Sequence, residues 1–189
     1  MGEHPVPGQL ILVNGASSAG KSTLCRALRD DLDVPFLFFS LDFFLFKTDV
    51  LPKRLDSSGP FAWAVLRPHV FEGFYRCLPA LLSSGNNLVV ELIVETQEQM
   101  NRLLELLTPF DVFFIGLHCP LPELERRERA RGDRRTGDAR RDFGTVHTFG
   151  VYDLELRATD PLEQNVEAII TAWKARTRPS AFERMAAAR

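Results

Sequence analysis

A glycine- and serine-rich stretch near the start of the chain combines the residue types that hold a polyphosphate. Residues 15–22 are Gly-Ala-Ser-Ser-Ala-Gly-Lys-Ser and directly follow the apolar run Leu10–Val13. Glycine permits backbone angles and close approaches that a Cβ would prevent, so that successive N–H groups can face phosphate oxygens. The lysine can reach the β- and γ-phosphates, and the Ser22 hydroxyl can ligate Mg²⁺. We therefore expect ATP and Mg²⁺ as cofactors, with nucleotide contacts from Gly15, Ala16, Ser17, Ser18, Ala19, Gly20, Lys21, Ser22 and Thr23.

Carboxylates follow or end two later apolar runs. Asp42 comes just after Phe36–Leu41, where it would face the crevice at the carboxyl ends of parallel strands. There it could accept a proton from a substrate hydroxyl, and capping a short helix is its alternative role. Glu91 lies where P-loop enzymes keep a second acidic group for Mg²⁺. Glu95, one turn beyond, could take that role, meet the acceptor or pair with a basic neighbour.

The most basic part of the chain, residues 126–135, runs into a glycine-rich segment. We expect residues 131–150 to form a lid, in which Arg131 and Arg134 offset charge on the transferring group. The alternative is a solvated charged helix, since acidic residues alternate with the basic ones. We favour that alternative for Arg126, Arg127 and Arg129.

Apolar runs alternate with amphipathic stretches along the chain. Strands are predicted over Leu10–Val13, Phe36–Leu41, Leu88–Val94 and Val112–Leu117, with a weaker edge strand over Asp153–Arg157. Helices are predicted over Lys21–Leu32, Val70–Leu82, Gln97–Leu107, Leu121–Ala130 and Pro161–Trp173, and an irregular excursion over 47–68. This alternation indicates an α/β fold with a parallel sheet covered by helices on both sides. We expect a single domain over 1–178 and a C-terminal tail over 179–189 that forms a frayed helix.

Composition narrows the class of protein. The chain has 189 residues, which suits one domain. Its 23 basic and 25 acidic residues give a formal charge of -2, which argues against a general binder of nucleic acid. Apolar runs fall well short of the roughly 20 residues that span a bilayer, and the first residues lack a signal peptide's apolar core. We expect a cytoplasmic protein in which Cys25, Cys77 and Cys119 are reduced thiols.

Aromatic residues crowd the first irregular segment. An apolar acceptor pocket is one interpretation, and packing of a small subdomain is the other, for Phe43, Phe44, Phe46, Phe61 and Trp63. His147 could contact substrate or phosphate, although a structural role is commoner for a single histidine.

Four blocks of sequence together resemble the chloramphenicol phosphotransferase family. They are Ile-Leu-Val-Asn-Gly-Ala-Ser-Ser-Ala-Gly-Lys-Ser over 11–22, Ser40-Leu41-Asp42, Arg131-Gly132-Asp133-Arg134, and His147 with Tyr152-Asp153-Leu154-Glu155. The resemblance covers about residues 9–175. It implies a three-layer, nucleoside-monophosphate-kinase-like fold with about five parallel strands, and transfer of the ATP γ-phosphoryl group to a small-molecule hydroxyl. It also implies that Asp42 is the base and that Arg131 and Arg134 are lid arginines.

The chain departs from that family in two places. It has Glu91-Leu92 where the family has an acidic pair beginning with Asp, and its segment 43–67 is more aromatic than the antibiotic-binding stretch. These departures count against chloramphenicol itself as the acceptor, and other antibiotics stay candidates. The alternatives are a kinase of another metabolite or of a nucleic-acid end, and a non-catalytic nucleotide-binding regulatory module. The chain lacks the Asn/Thr-Lys-x-Asp sequence typical of guanine-specific switches. The sequence leaves the oligomeric state open.

Overall fold

A five-stranded, all-parallel sheet forms the centre of the protein in the computed structural model. The structure describes residues 5–131 and 137–189, with Arg131 described by its backbone alone. The strands are β1 (Gln9–Asn14), β2 (Leu37–Ser40), β3 (Leu88–Leu92), β4 (Asp111–His118) and β5 (Leu154–Arg157), in the spatial order β2-β3-β1-β4-β5. The weaker strand therefore lies at the sheet edge, as predicted.

Helices connect the strands and cover both faces of the sheet. They are α1 (Lys21–Asp31), α2 (Leu41–Phe46), α3 (Trp63–Ser83), α4 (Gln97–Leu107), α5 (Leu121–Arg131), α6 (Asp138–Phe143), α7 (Leu162–Lys174) and α8 (Ala181–Ala187). The bounds of α4 match the prediction, and Thr96 caps it by accepting a hydrogen bond from the Gln99 N–H. The predicted α/β architecture is confirmed.

Two apolar layers hold the helices against the sheet. Successive residues of β1 point to opposite faces, so Ile11 and Val13 pack with α1 and α7 while Leu10 and Leu12 pack with α3, α4 and α8. The central strands β1 and β3 are buried almost throughout, which explains why their sequences are continuous apolar runs. The result is a three-layer molecule.

Helix α3 begins earlier than the sequence predicts. We expected irregular backbone over residues 47–68, because this stretch contains Pro, Gly, Asp and Ser. The helix instead begins at Trp63 and continues through Pro68 and Pro79. A contact across Pro68 holds its first turn, since the Trp63 ring lies edge-on to the Phe71 ring with centroids 6.5 Å apart. The irregular segment therefore covers only residues 47–62.

The C-terminal helix α8 is packed, and the expectation of frayed structure is wrong. Ser180 and Glu183 form a capping box at its start. Ala181 and Phe182 are buried, and the Phe182 ring lies edge-on to Phe114 of β4 at 5.1 Å between centroids. The sequence-based expectation gave too little weight to these two apolar residues among the surrounding arginines and alanines.

Cys25, Cys77 and Cys119 are free thiols in the structure. Within the part of the chain that the structure describes, none of the helices combines the length and apolar character needed to cross a bilayer.

Candidate active site

The loop from β1 to α1 has the backbone shape that phosphate binding requires. Ser18 and Gly20 have positive φ angles of 65° and 94°. Such a conformation is unusual for a serine and is typical of functional loops. At Gly15 a Cβ would lie 2.8 Å from the Leu117 carbonyl oxygen, so this position excludes any larger residue. Gly20 is therefore needed for its positive φ, and Gly15 is needed for the close approach of the backbone. Both are reasons for glycine that the sequence predicts.

Lys21 turns back into the loop that it ends. Its Nζ donates hydrogen bonds of 2.8 Å to the carbonyl oxygens of Gly15 and Ala16, and the side chain is buried. Burial lowers the pKa of Lys21, while the charges of Glu91, Asp42 and Asp142 act in the opposite direction. The ammonium group is therefore held where incoming phosphates could replace backbone carbonyls as its partners.

Glu91 lies beside the predicted metal ligand. Its carboxylate accepts hydrogen bonds of 2.8 Å from the Ser22 hydroxyl and 2.7 Å from the Ser40 hydroxyl. Mg²⁺ prefers oxygen ligands and is commonly held by one or two protein groups together with phosphates. Ser22 and Glu91 fit that requirement. Within residues 5–130 and 137–189, no group of three His, Cys, Asp or Glu side chains is arranged to hold a metal ion.

Glu95 is placed differently from Glu91. It forms an ion pair with Arg67 of α3, and the Arg67 guanidinium lies 4.4 Å from the centre of the Phe71 ring. Of the roles considered for Glu95, pairing with a basic neighbour is the one observed.

Asp42 lies in the first turn of α2, at the end of β2. The cap of this helix is Ser40, whose hydroxyl accepts a hydrogen bond from the Phe43 N–H, so Asp42 is not the cap. The Asp42 side chain lines a small hollow shared with the phosphate loop and Glu91. The Asp42 side chain also lines a larger, neighbouring cleft. Asp42 thus lies where the two spaces meet.

The larger cleft has a volume of about 480 Å³ and lies between the phosphate loop, α2, α3 and α6. Of the five aromatic residues considered for an acceptor pocket, Phe46 and Trp63 line this cleft. Phe44 packs against the buried Phe74, as the alternative interpretation holds. Phe43 and Phe61 are exposed.

Helix α6 brings a carboxylate to the site that the sequence did not indicate. Asp142 is almost completely buried, and its Oδ2 accepts a hydrogen bond of 3.1 Å from the Ser17 N–H of the phosphate loop. Its other oxygen lies 3.1 Å from Arg141 Nη2. Burial raises the pKa of Asp142, and the Ser17 N–H and Arg141 oppose that shift. Because 125 residues separate Ser17 from Asp142, no local pattern could have revealed this contact.

The arginines of α5 only partly follow the prediction. Arg126 pairs with Glu123 on the surface, as expected. Arg127 was wrongly assigned to the solvated face, because its guanidinium donates to the carbonyls of Ala19 and Ala158. It therefore fastens the phosphate loop to the segment that follows β5.

The predicted lid is described in part. Arg131 ends α5, and only its backbone is described, while Arg134 lies outside the described residues. The later part of the segment includes α6. Glu128 of α5 accepts hydrogen bonds from the N–H groups of Gly137 and Ala139 at the start of that helix.

A buried polar network supports the phosphate loop from behind. The Asn14 side chain donates hydrogen bonds of 2.7 Å to the Val146 carbonyl and 2.8 Å to the Tyr152 hydroxyl. It also accepts a bond from the Val94 N–H. The Tyr152 hydroxyl lies 2.7 Å from His147 Nδ1.

His147 stacks on His118, with ring centres 3.8 Å apart. Burial lowers the pKa of His147 to about 4, with smaller contributions from His118 and Lys21. His147 lines a separate cavity together with Ala16 and His118, and it is not among the residues that line the larger cleft.

Comparison with known sequences finds similar phosphotransferases. The sequence model of one family, described as chloramphenicol phosphotransferase-like protein, matches residues 8–174. A Mycobacterium tuberculosis (H37Rv) protein named "Putative O-phosphotransferase Rv2636" is 28% identical over 199 residues, covering 94% of this chain and 88% of that protein.

Solved structures of kinases share the fold. The APS kinase CysC of Mycobacterium tuberculosis, in complex with AMPPNP and APS, has a TM-score of 0.67 and 18% identity over 90% of this chain and 99% of its own. A gluconokinase from Sinorhizobium meliloti has a TM-score of 0.57 and 17% identity over 90% of this chain and 94% of its own. This chain therefore has the same three-layer α/β fold as these kinases.

Proposed function

Because the chain belongs to the chloramphenicol phosphotransferase-like family, we propose that it transfers the γ-phosphoryl group of ATP to the hydroxyl of a small molecule. The observation that carries the proposal is the position of Asp42, which lines both the phosphate hollow and the large cleft. A group at that junction can contact a hydroxyl in the cleft while the nucleotide occupies the loop.

The donor side of the site has the parts that phosphoryl transfer needs. The N–H groups of residues 15–23 and the positive end of α1 would bind the phosphates, and Lys21 would leave the carbonyls of Gly15 and Ala16 to contact them. Ser22 and Glu91 would hold Mg²⁺, which in this class of reaction neutralises charge on the β- and γ-phosphates. These groups mainly position the donor and stabilise negative charge, which is most of what phosphoryl transfer requires of a protein.

The acceptor would lie in the large cleft with its hydroxyl directed at Asp42. The hydroxyl oxygen forms a bond to the γ-phosphorus, the bond from that phosphorus to the β,γ-bridging oxygen breaks, and ADP departs. The Asp42 carboxylate takes the hydroxyl proton. Arg131 and Arg134 are proposed to offset charge on the transferring group.

Label transfer from γ-labelled ATP with Mg²⁺ to a panel of hydroxylated antibiotics and metabolites tests the proposal. We expect Asp42→Asn to reduce transfer by about 10²- to 10⁴-fold, the usual contribution of a general base, with ATP binding unchanged. Asp49→Asn is the matched control, because Asp49 is an exposed loop residue whose positive φ of 56° also suits asparagine.

Two results would count against the proposal. A near-normal rate in the Asp42→Asn protein would remove Asp42 as the base. A wild-type protein that fails to bind ATP would overturn the assignment of the whole site.

A further inference from the structure

Arg67 is a guanidinium in the acceptor cleft that already has a carboxylate partner. It lies on the cleft-facing side of α3, forms an ion pair with Glu95, and covers the Phe71 ring. Both side chains are partly buried, with 36% and 24% of their surfaces exposed. An arginine in a binding cleft commonly recognises phosphate or carboxylate by a two-point contact. Here Glu95 already accepts a hydrogen bond from Nη2 of the Arg67 guanidinium.

The second cleft arginine is neutralised in the same way. Arg141 Nη1 lies 2.8 Å from Asp138 and its Nη2 lies 3.1 Å from Asp142. Lys21, the remaining basic group, is directed into the phosphate loop. Each basic side chain in the described lining therefore already has partners within the protein.

The summed charge of the cleft is unfavourable for an anion. Among the residues that the structure describes, its lining has three basic and five acidic side chains, a formal difference of -2. Leu45, Phe46 and Trp63 add apolar surface, which lowers the local dielectric and strengthens the repulsion between like charges. The bound nucleotide would add further negative charge.

On this basis we propose that Glu95 is a specificity-determining residue, which restricts the site to alcohols without an anionic group. The inference depends on the proposed phosphotransferase function. Glu95 acts by neutralising Arg67. A phosphate, sulfate or carboxylate on the acceptor would have to share Arg67 with Glu95 or displace it, which places two anions side by side or leaves a partly buried carboxylate without its partner.

Matched pairs of acceptors test this directly. The pairs are 4-(hydroxymethyl)benzamide with 4-(hydroxymethyl)benzoate, and glucose with gluconate. Transfer from γ-labelled ATP and ligand binding in the presence of MgADP are measured for each member. We expect the wild type to prefer the neutral members, and Glu95→Gln to shift the ratio toward the anionic members by on the order of tenfold or more, about 1.4 kcal/mol.

Two further variants separate charge selection from general damage. Glu98→Gln removes the same charge from an exposed position in the first turn of α4 and should leave the ratio unchanged. Glu95→Gln combined with Arg67→Gln should lose the gain for anions, because that gain requires a guanidinium without its carboxylate.

The outcomes distinguish the two proposals. ATP binding without transfer to any alcohol would remove the proposed function. Transfer with a wild-type preference for the anionic members, or an unchanged ratio in Glu95→Gln, would overturn the role of Glu95 alone. Failure of the wild type to bind or phosphorylate any neutral member would also overturn it.

Discussion

The two sides of the site are built differently. The donor side, meaning the loop 15–23 with Glu91, is largely buried and is fastened by hydrogen bonds to several strands and helices. The acceptor side, meaning α2 and the first two turns of α3, is half-exposed. Phe46 and Val65 have 59% and 49% of their surfaces accessible.

This difference separates what is common to a reaction from what is particular to a substrate. Phosphate groups have one geometry, so the residues that hold them can be fixed in a rigid frame. An acceptor surface made of exposed aromatic side chains can change by substitution without disturbing the sheet. Variants on each side show whether the two sides act independently.

The largest effect is expected on the donor side. Lys21→Met should reduce kcat/KM for ATP by about 10²- to 10³-fold, because it removes a preorganised charge from a buried site. Steady-state kinetics with a saturating acceptor measure this change. Lys47→Met, at an exposed position after α2, is the control. A loss smaller than tenfold would mean that phosphate binding does not depend on Lys21.

A smaller and selective effect is expected on the acceptor side. Trp63→Ala removes apolar surface from the cleft, and we expect the KM for the acceptor to rise about tenfold while the KM for ATP stays constant. Phe61→Ala removes an exposed aromatic ring that does not line the cleft. If Trp63→Ala instead changes the KM for ATP, the two sides are not separable.

The smallest effect concerns stability in acid. His147 has a pKa of about 4 in the folded protein against its usual 6.5, so the unfolded chain binds the additional proton between these values. The neutral His147 ring therefore contributes to the stability of the folded protein above about pH 6.5, and this contribution is lost as the pH falls toward about 4. The melting temperature, measured from pH 7 to pH 4, should fall less steeply in His147→Gln than in the wild type.

His69→Gln, on the exposed side of α3, should keep the wild-type slope. An equal slope in His147→Gln and the wild type would show that the network behind the phosphate loop does not titrate in this range.

The sequence predicted those features that a single local segment determines. The phosphate loop could be predicted because its chemistry requires glycine, lysine and a hydroxyl at fixed spacing. The strands around Leu12 and Val90 could be predicted because a parallel sheet buries continuous apolar runs. Asp42 could be located because the ends of parallel strands share one edge of the sheet.

Features formed by distant segments could not be predicted in the same way. Asp142 contacts the phosphate loop, and Arg127 bridges two loops. Glu95 forms an ion pair with Arg67, which lies 28 residues earlier in the chain. None of these contacts has a periodic signature. The early start of α3 was missed for a related reason, because the contact between Trp63 and Phe71 outweighs the local penalty at Pro68.

The hydrogen bond from the Ser17 N–H to Asp142 links the phosphate loop to α6 in a way that must work in both directions. If a γ-phosphate at the loop repels the buried carboxylate, nucleotide binding weakens the hold on α6. Consider a ligand that draws α6 away from the loop. Thermodynamic reciprocity requires that this ligand raises the affinity for the nucleotide by the same factor by which the nucleotide raises the affinity for the ligand. An acceptor that draws α6 away from the loop would therefore bind cooperatively with the nucleotide, and one that holds α6 against the loop would compete with it.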